Sequence, residues 1–169
     1  AGGSIAKKTF LKGDHDIDIF VKFNYSYREQ DISKLLKKIL IGLKAKEVKG
    51  SRNYFHIEEF EIVPVLDINN PEKALNVTDM SPLHVNWVKK HSNIKLRDDI
   101  RIIKQFCKGQ EVYGAESHIK GFSGHVLDLL IIHYKGFKNL LKQCQKWKHQ
   151  EVIDFHNYHK GDALVILNK

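Results

Sequence analysis

Two aspartates near the start of the chain, Asp16 and Asp18, have the type and spacing of a metal-binding pair. Asp16 comes directly before residues 17–23, and Asp18 lies within them. Apolar and polar residues alternate in this segment, and β-branched and aromatic types are frequent, so the pattern predicts a strand. Residues two apart on a strand point to the same face, so both carboxylates face the same way. Like charges so placed repel unless a cation lies between them. The pair therefore indicates a site for a hard divalent ion such as Mg²⁺.

Two further features fit a phosphate-transfer site around this pair. The turn Gly3-Ser4, placed at the start of a helix, offers backbone N–H groups and a hydroxyl to phosphate oxygens. A third carboxylate is expected from a neighbouring strand, and Glu61 is the candidate. Each feature alone is typical of a solvated strand end or a simple turn. Their order and spacing together favour two-metal phosphoryl transfer.

Strands and helices alternate in the first half of the chain, and helices dominate the second. An amphipathic helix is predicted from Asp31 to Leu43, because apolar residues recur there at helical spacing between lysines. Strands are predicted at 54–57 and 60–65, with Pro64 ending a ladder or lying on an edge. Residues 69–72 form the expected linker. The remaining predictions are helices starting near Ser81, around Ile100–Cys107, at Phe122–Tyr134 and at Phe137–Trp147, and a final strand at Ala163–Leu167 with no partner after it.

The composition is that of a globular protein. The chain has 169 residues, of which 42% are hydrophobic, and a formal net charge of +8. The charge is uneven, since residues 1–75 carry +2 and residues 76–169 carry +6, which suits an anionic partner such as RNA. The longest apolar stretch, residues 126–132, is interrupted by Asp128 and is too short to span a bilayer, so no membrane role is expected. Two cysteines make no disulfide framework, which favours a reducing, cytoplasmic location.

Several motifs resemble a known family. The order Gly3-Ser4, then Asp16-x-Asp18, then a strand is the signature of the DNA polymerase β-like nucleotidyltransferases. The further motifs are Ile62-Val63-Pro64, Asp79-Met80-Ser81-Pro82-Leu83-His84, Arg101-Ile102-Ile103-Lys104-Gln105-Phe106, Val112-Tyr113-Gly114-Ala115-Glu116 and Lys120-Gly121-Phe122-Ser123-Gly124. Together these motifs, which cover almost the whole chain, closely resemble archaeal (class I) CCA-adding enzymes, which are tRNA nucleotidyltransferases.

The resemblance implies an α+β fold. A polymerase β-like nucleotidyltransferase head with a small mixed or antiparallel sheet is expected at residues 1–75, followed by a mainly α-helical central domain at 76–160. Residues 161–169 would begin a further region. Family elements are missing before Gly3 and after Lys169, so the chain is expected to be a truncated core.

The resemblance also implies residue roles. Asp16, Asp18 and Glu61 fall where the family has its catalytic, metal-binding carboxylates, with Mg²⁺ as the cofactor. The predicted nucleotide-binding residues are Ser4, Lys7, His84, Lys104 and Tyr113. From the residues alone, a structural histidine, a surface lysine and a core aromatic remain the alternatives for the last three. Gly121 and Gly124 are expected to permit close helix packing.

The implied reaction adds CMP and AMP from CTP and ATP to the tRNA 3′ end. Two departures from the family stand out, since Glu61 replaces the usual Asp and the hairpin between Tyr54 and Glu61 is shorter. Alternatives are another polymerase β-like enzyme, of the oligoadenylate synthase or poly(A) polymerase kind, or an inactive RNA-binding fragment. Whether the chain forms a homodimer stays open.

Overall fold

The computed structural model describes residues 1–13, 16–115, 118–147, 150–153 and 165–168. Its contacts divide the chain into two compact units, residues 1–90 and 91–169. The first unit holds the helices and strands α1 (Gly3–Lys7), β1 (Ile17–Phe23), α2 (Ile32–Ile39), β2 (Lys46–Val48), β3 (Tyr54–Ile57), β4 (Phe60–Leu66) and most of α3 (Ser81–His91).

The first unit is built on a four-stranded mixed sheet in the order β1-β4-β3-β2. Strands β1 and β4 are parallel, whereas β2, β3 and β4 are successively antiparallel. The predicted strands at 17–23, 54–57 and 60–65 are confirmed, and β2 is an addition. The ladder from β3 covers only Phe60–Ile62 of β4, so Pro64 lies beyond its end, where its missing N–H costs no hydrogen bond.

The alternating pattern of β1 gives the sheet two different faces. Ile19 and Val21 of β1, with Phe55 and Ile62 of the neighbouring strands, pack against Leu36 of α2. Side chains one position away along each strand point to the opposite face, where Asp18 and Glu61 lie. Covering one face with α2 therefore leaves the other available for polar chemistry.

Helix α2 begins as its sequence predicts. The Asp31 side chain accepts a hydrogen bond from the Lys34 N–H at 3.0 Å and so caps the first turn. Ser33 lies inside the helix, and its hydroxyl donates to the Asn53 carbonyl at 2.9 Å. The helix ends at Ile39, so Leu43 lies beyond it.

A buried carboxylate ties the segment after β4 back to the sheet. Asp79, which is fully buried, accepts a hydrogen bond from the Leu66 N–H at 2.8 Å and another from the Asn76 N–H at 3.1 Å. Arg52 completes the set with both guanidinium nitrogens, one of them at 3.0 Å. Asp79 therefore ties its segment to the sheet of the first unit, which extends to residue 90. The domain boundary at residue 75 stays a prediction.

The second unit is mainly helical. Its helices are α4 (Ile94–Gly109), α5 (Gly124–Tyr134) and α6 (Phe137–Cys144), and its core contains Ile103, Leu127, Ile131 and Leu140. Ser123, at the predicted start of α5, is its N-cap and accepts from the Val126 N–H at 3.3 Å. Among the described residues no helix has the length and apolarity needed to cross a membrane.

The expectation that the final strand lacks a partner is wrong. β5 (Gln150–Ile153) pairs antiparallel with β6 (Val165–Asn168). Periodicity identified the second strand but gave no signal for the first, which is only four residues long. Ala163 and Leu164, the start of the predicted strand, lie outside the described residues.

We predict that Asp79→Asn destabilises the fold by about 3–5 kcal/mol, because it removes the charge that Arg52 and the buried N–H groups require. Urea unfolding at pH 7 measures this loss. The control is Asp67→Asn, whose exposed carboxylate contacts Lys22 at 2.8 Å and whose loss should cost less than about 1 kcal/mol. Equal losses would contradict the assignment.

The contacts of Asp79 also make the stability of the fold depend on pH. Burial alone would raise the pKa of Asp79, but hydrogen bonds from Arg52 and the Leu66 N–H outweigh it, so the pKa lies below its ordinary value. The folded state therefore binds this proton less readily than the unfolded chain does. The stabilisation is present above the ordinary carboxyl pKa and is lost as the pH falls towards the folded value. Unfolding of Asp79→Asn should show less of this acid sensitivity than the parent.

Candidate active site

Two carboxylates lie side by side on the face of the sheet opposite α2. Asp18 of β1 and Glu61 of β4 are direct partners in the parallel ladder, so their side chains leave the sheet on the same face. The shortened hairpin between β3 and β4 closes with a two-residue turn, Glu58-Glu59, in which Glu58 has a φ of +53°. This turn sets the register that brings Glu61 opposite Asp18.

Asp16 lies just before β1 and acts on both carboxyls through its charge. Burial raises the pKa of Asp18, and the Asp16 carboxylate raises it further, while the Asp18 backbone N–H and Lys7 oppose the change only in part. Burial also raises the pKa of Glu61, with added contributions from Asp18 and Asp16 that outweigh the opposing effect of His56. The three predicted carboxylates are therefore electrostatically coupled.

Helix α1 packs against Asp18. The Gly2 N–H donates to the Asp18 backbone carbonyl at 2.7 Å. Gly3 has a φ of +51°, and a Cβ placed on it would lie 1.7 Å from Asp18 Oδ2, so only glycine fits at this position. The chain thereby brings Ser4 and Lys7, both on α1, to the neighbourhood of the carboxylates. Lys7 is only 8% exposed, and its charge lowers the Asp18 pKa.

The donor set fits a hard divalent cation. Carboxylate oxygens are the ligands that Mg²⁺ and related ions prefer, and a cation would offset the repulsion that raises the pKa values of Asp18 and Glu61. Within the described ranges, no three acidic, histidine or cysteine side chains already have the geometry of a metal site. Glu61 Oε1 instead lies 3.1 Å from His56 Nε2. Residues Asp16, Asp18 and Glu61 are those that would hold the ion.

The second unit brings together two other predicted residues. Lys104 of α4 is 4% exposed and its Nζ lies 3.5 Å from Oδ1 of the fully buried Asp128, so it is not a surface lysine. Tyr113 pairs with Phe122, and its hydroxyl would lie 2.8 Å from a Cβ on Gly124. The same Cβ would lie 3.8 Å from Lys104 Cε. Lys104 and the Tyr113 hydroxyl therefore both lie beside Gly124, the first residue of α5.

Gly121 permits a close approach to the backbone of Val112 and Gly114 rather than to a helix. A Cβ on Gly121 would lie 2.2 Å from the Val112 carbonyl oxygen, and the Gly121 N–H donates to the Gly114 carbonyl at 2.9 Å. The close backbone approach places Tyr113 against the start of α5. His84, the remaining predicted residue, is half-buried on α3 of the first unit.

Sequence reasoning missed His56, Tyr54 and Asp128. Tyr54 and His56 share a face of β3, their ring centroids are 5.5 Å apart, and the carboxylates of Glu61, Asp16 and Asp18 add to the effect of burial in raising the pKa of Tyr54. A two-residue turn at 58–59 pairs residue 57 with 60 and residue 56 with 61. Glu58-Glu59 is not one of the residue pairs that favour such a turn, so this pairing could not be predicted from the sequence. Asp128 gave no signal either, because its partner Lys104 is on another helix.

Comparison with known proteins agrees with these features. Residues 98–168 match the family model for the second domain of tRNA nucleotidyltransferase. The chain is 44% identical to the CCA-adding enzyme of Nanoarchaeum equitans over 99% of its length, and 40% identical to that of Methanocaldococcus jannaschii over 86%. In sequence, the chain therefore resembles the archaeal CCA-adding enzymes over most of its length. It spans 44% and 35% of the length of these two relatives.

Solved structures confirm the fold. CdnC from E. coli MS115-1, in a structure with ATP, superposes with a TM-score of 0.58 at 14% identity, covering 94% of this chain and 60% of CdnC. CdnC in a complex with HORMA-deltaN gives 0.57 at 16% identity, covering 94% of this chain and 59% of that one. The predicted α+β fold, with a small mixed sheet followed by helices, is thus correct.

We predict that Gly3→Ala destabilises the protein more than Gly42→Ala does, by about 1–3 kcal/mol. Both glycines have a positive φ, but only at Gly3 would the new Cβ overlap another group, the Asp18 carboxylate. The difference between the two variants, measured by urea unfolding, isolates that overlap from the backbone strain. Equal destabilisation would show that α1 does not pack against Asp18 in this way.

Proposed function

We propose that the chain carries the catalytic core of a CCA-adding tRNA nucleotidyltransferase. It would transfer CMP and AMP from CTP and ATP to the 3′ end of tRNA and release pyrophosphate. The observation that supports this most directly is the pairing of Asp18 with Glu61 beside α1, in a chain related over nearly its whole length to CCA-adding enzymes. A tRNA substrate would place the activity in the cytoplasm.

Asp16, Asp18 and Glu61 are proposed to hold Mg²⁺. When bound, the ions would lower the pKa of the attacking 3′ hydroxyl and neutralise charge on the leaving pyrophosphate. The protein's own contribution is to keep the carboxylates of Asp18 and Glu61 close together and partly shielded from water. Because burial and mutual repulsion raise the pKa values of Asp18 and Glu61, the site is prepared to favour a cation.

Five side chains are proposed to bind the nucleotide. On α1, the Ser4 hydroxyl would donate to the triphosphate and the Lys7 ammonium would offset its charge, with Lys7 already within the field of Asp18. His84, Lys104 and Tyr113 are proposed to contact the incoming CTP or ATP. The contact of Lys104 with Asp128 fixes the direction of the ammonium group before substrate binds. These assignments follow the family resemblance.

The tRNA would be bound chiefly through its backbone. Residues 76–169 carry a formal charge of +6, which favours phosphate contacts and recognition of RNA shape over base reading. The acceptor end must reach Asp18 and Glu61 with its 3′ hydroxyl. The remaining surface needs only to attract and orient the RNA.

We predict that Asp18→Asn and Glu61→Gln each reduce CMP addition by about 100-fold or more, because each removes charge from the metal-binding set. The assay is extension of a tRNA lacking its CCA end with labelled CTP and Mg²⁺. Glu59→Gln is the matched control, since Glu59 is an exposed carboxylate two residues from Glu61, and it should change the rate by less than about two-fold.

Two results would contradict the proposal. Full activity in Asp18→Asn would show that the carboxylates are not the catalytic site. Extension of only free ATP or of an unrelated RNA by the parent chain would identify a different nucleotidyltransferase, of the oligoadenylate synthase or poly(A) polymerase kind. Activity with the CCA-lacking tRNA that requires both Asp18 and Glu61 would support the assignment.

A further inference from the structure

A histidine contacts the third carboxylate. His56 Nε2 lies 3.1 Å from Glu61 Oε1, within hydrogen-bonding distance. An ionised carboxylate only accepts hydrogen bonds, so Nε2 carries the hydrogen and donates it. The contact therefore connects His56, to which no role has been assigned above, with Glu61 of the proposed metal site.

The backbone dictates this contact. His56 and Glu61 are direct partners in the antiparallel ladder of β3 and β4, and Asp18 is the partner of Glu61 on the other side. The three side chains therefore form a row across three strands on one face of the sheet. The two-residue turn at 58–59 fixes the register, so His56 cannot move away from Glu61 without changing the hairpin.

A hydrogen bond from His56 would restrict the flexible side chain of Glu61. Glutamate has one more rotatable bond than aspartate, so the Glu61 carboxylate can occupy more positions than that of Asp16 or Asp18 can. Confining it to one of them costs conformational entropy. A hydrogen bond at Oε1 restricts the side chain and leaves Oε2 available. The side chains of His56 and Glu61 are 33% and 22% exposed, so water competes only partly for the contact.

We propose that His56 is a positioning residue that holds the Glu61 carboxylate in place for a divalent cation shared with Asp18. The proposal rests on the function proposed above, since that function requires a cation at Glu61. Such outer partners of metal ligands fix ligand orientation, and their loss commonly weakens metal binding by about 10- to 100-fold.

Two substitutions separate the hydrogen bond from the packing of the ring. His56→Phe keeps an aromatic ring beside Tyr54, whose centroid lies 5.5 Å from that of His56, but has no donor. His56→Gln loses the ring and keeps an N–H donor at a similar reach. His91→Phe, at an exposed histidine at the end of α3, is the control.

The experiment is a titration of the chain with Mn²⁺, followed by electron paramagnetic resonance, in which Asp18→Asn identifies the signal that belongs to this site. We expect His56→Phe to weaken that binding by about 10- to 100-fold. His56→Gln should restore most of it, and His91→Phe should leave it unchanged. In the Glu61→Gln background, His56→Phe should have no further effect, because His56 acts through Glu61.

A merely structural role for His56 would give a different result. Equal weakening by His56→Phe and His56→Gln, or an undiminished effect in the Glu61→Gln background, would overturn the proposal. So would the absence of any Asp18-dependent Mn²⁺ binding by the parent. If the parent binds Mn²⁺ but does not extend tRNA, the proposed function fails while the binding data still decide the role of His56.

Discussion

The parallel pairing of β1 with β4 is the constraint on which the candidate site depends. It holds Asp18 and Glu61 beside each other on one face of the sheet, although two like charges there oppose folding. The opposite face is occupied by α2, so the apolar half of each strand supplies the core and the polar half supplies the site. A cation between the carboxylates would convert this repulsion into a binding site.

The surrounding structure keeps the two strands in register. Gly3 lets α1 approach the Asp18 carboxylate, and the turn at Glu58-Glu59 fixes Glu61 relative to His56. At the far end of β4, Asp79 and Arg52 anchor the chain that follows the sheet. The contacts of Gly3 with Asp18 and of Arg52 with Asp79 join residues far apart in sequence, so the site depends on the folded sheet rather than on one local motif.

The sequence was sufficient for the local features and insufficient for those that depend on register. Alternation predicted β1, and helical spacing with Asp31 predicted α2, because both patterns arise within one segment. To predict the contact of His56 with Glu61, one would need to know the length of the turn between their strands. To predict the contact of Lys104 with Asp128, one would need to know how their two helices pack. The partner of the last strand was missed for the same reason, since pairing is a long-range property.

The most direct test of the central claim is a crystal structure of the chain with Mn²⁺ and CTP, with the metal located by its anomalous scattering. The account predicts a metal peak between Asp18 and Glu61, with carboxylate oxygens of both residues at about 2.0–2.3 Å and the triphosphate beside Ser4 and Lys7. A metal bound by Asp18 without Glu61, or located away from both carboxylates, would contradict it.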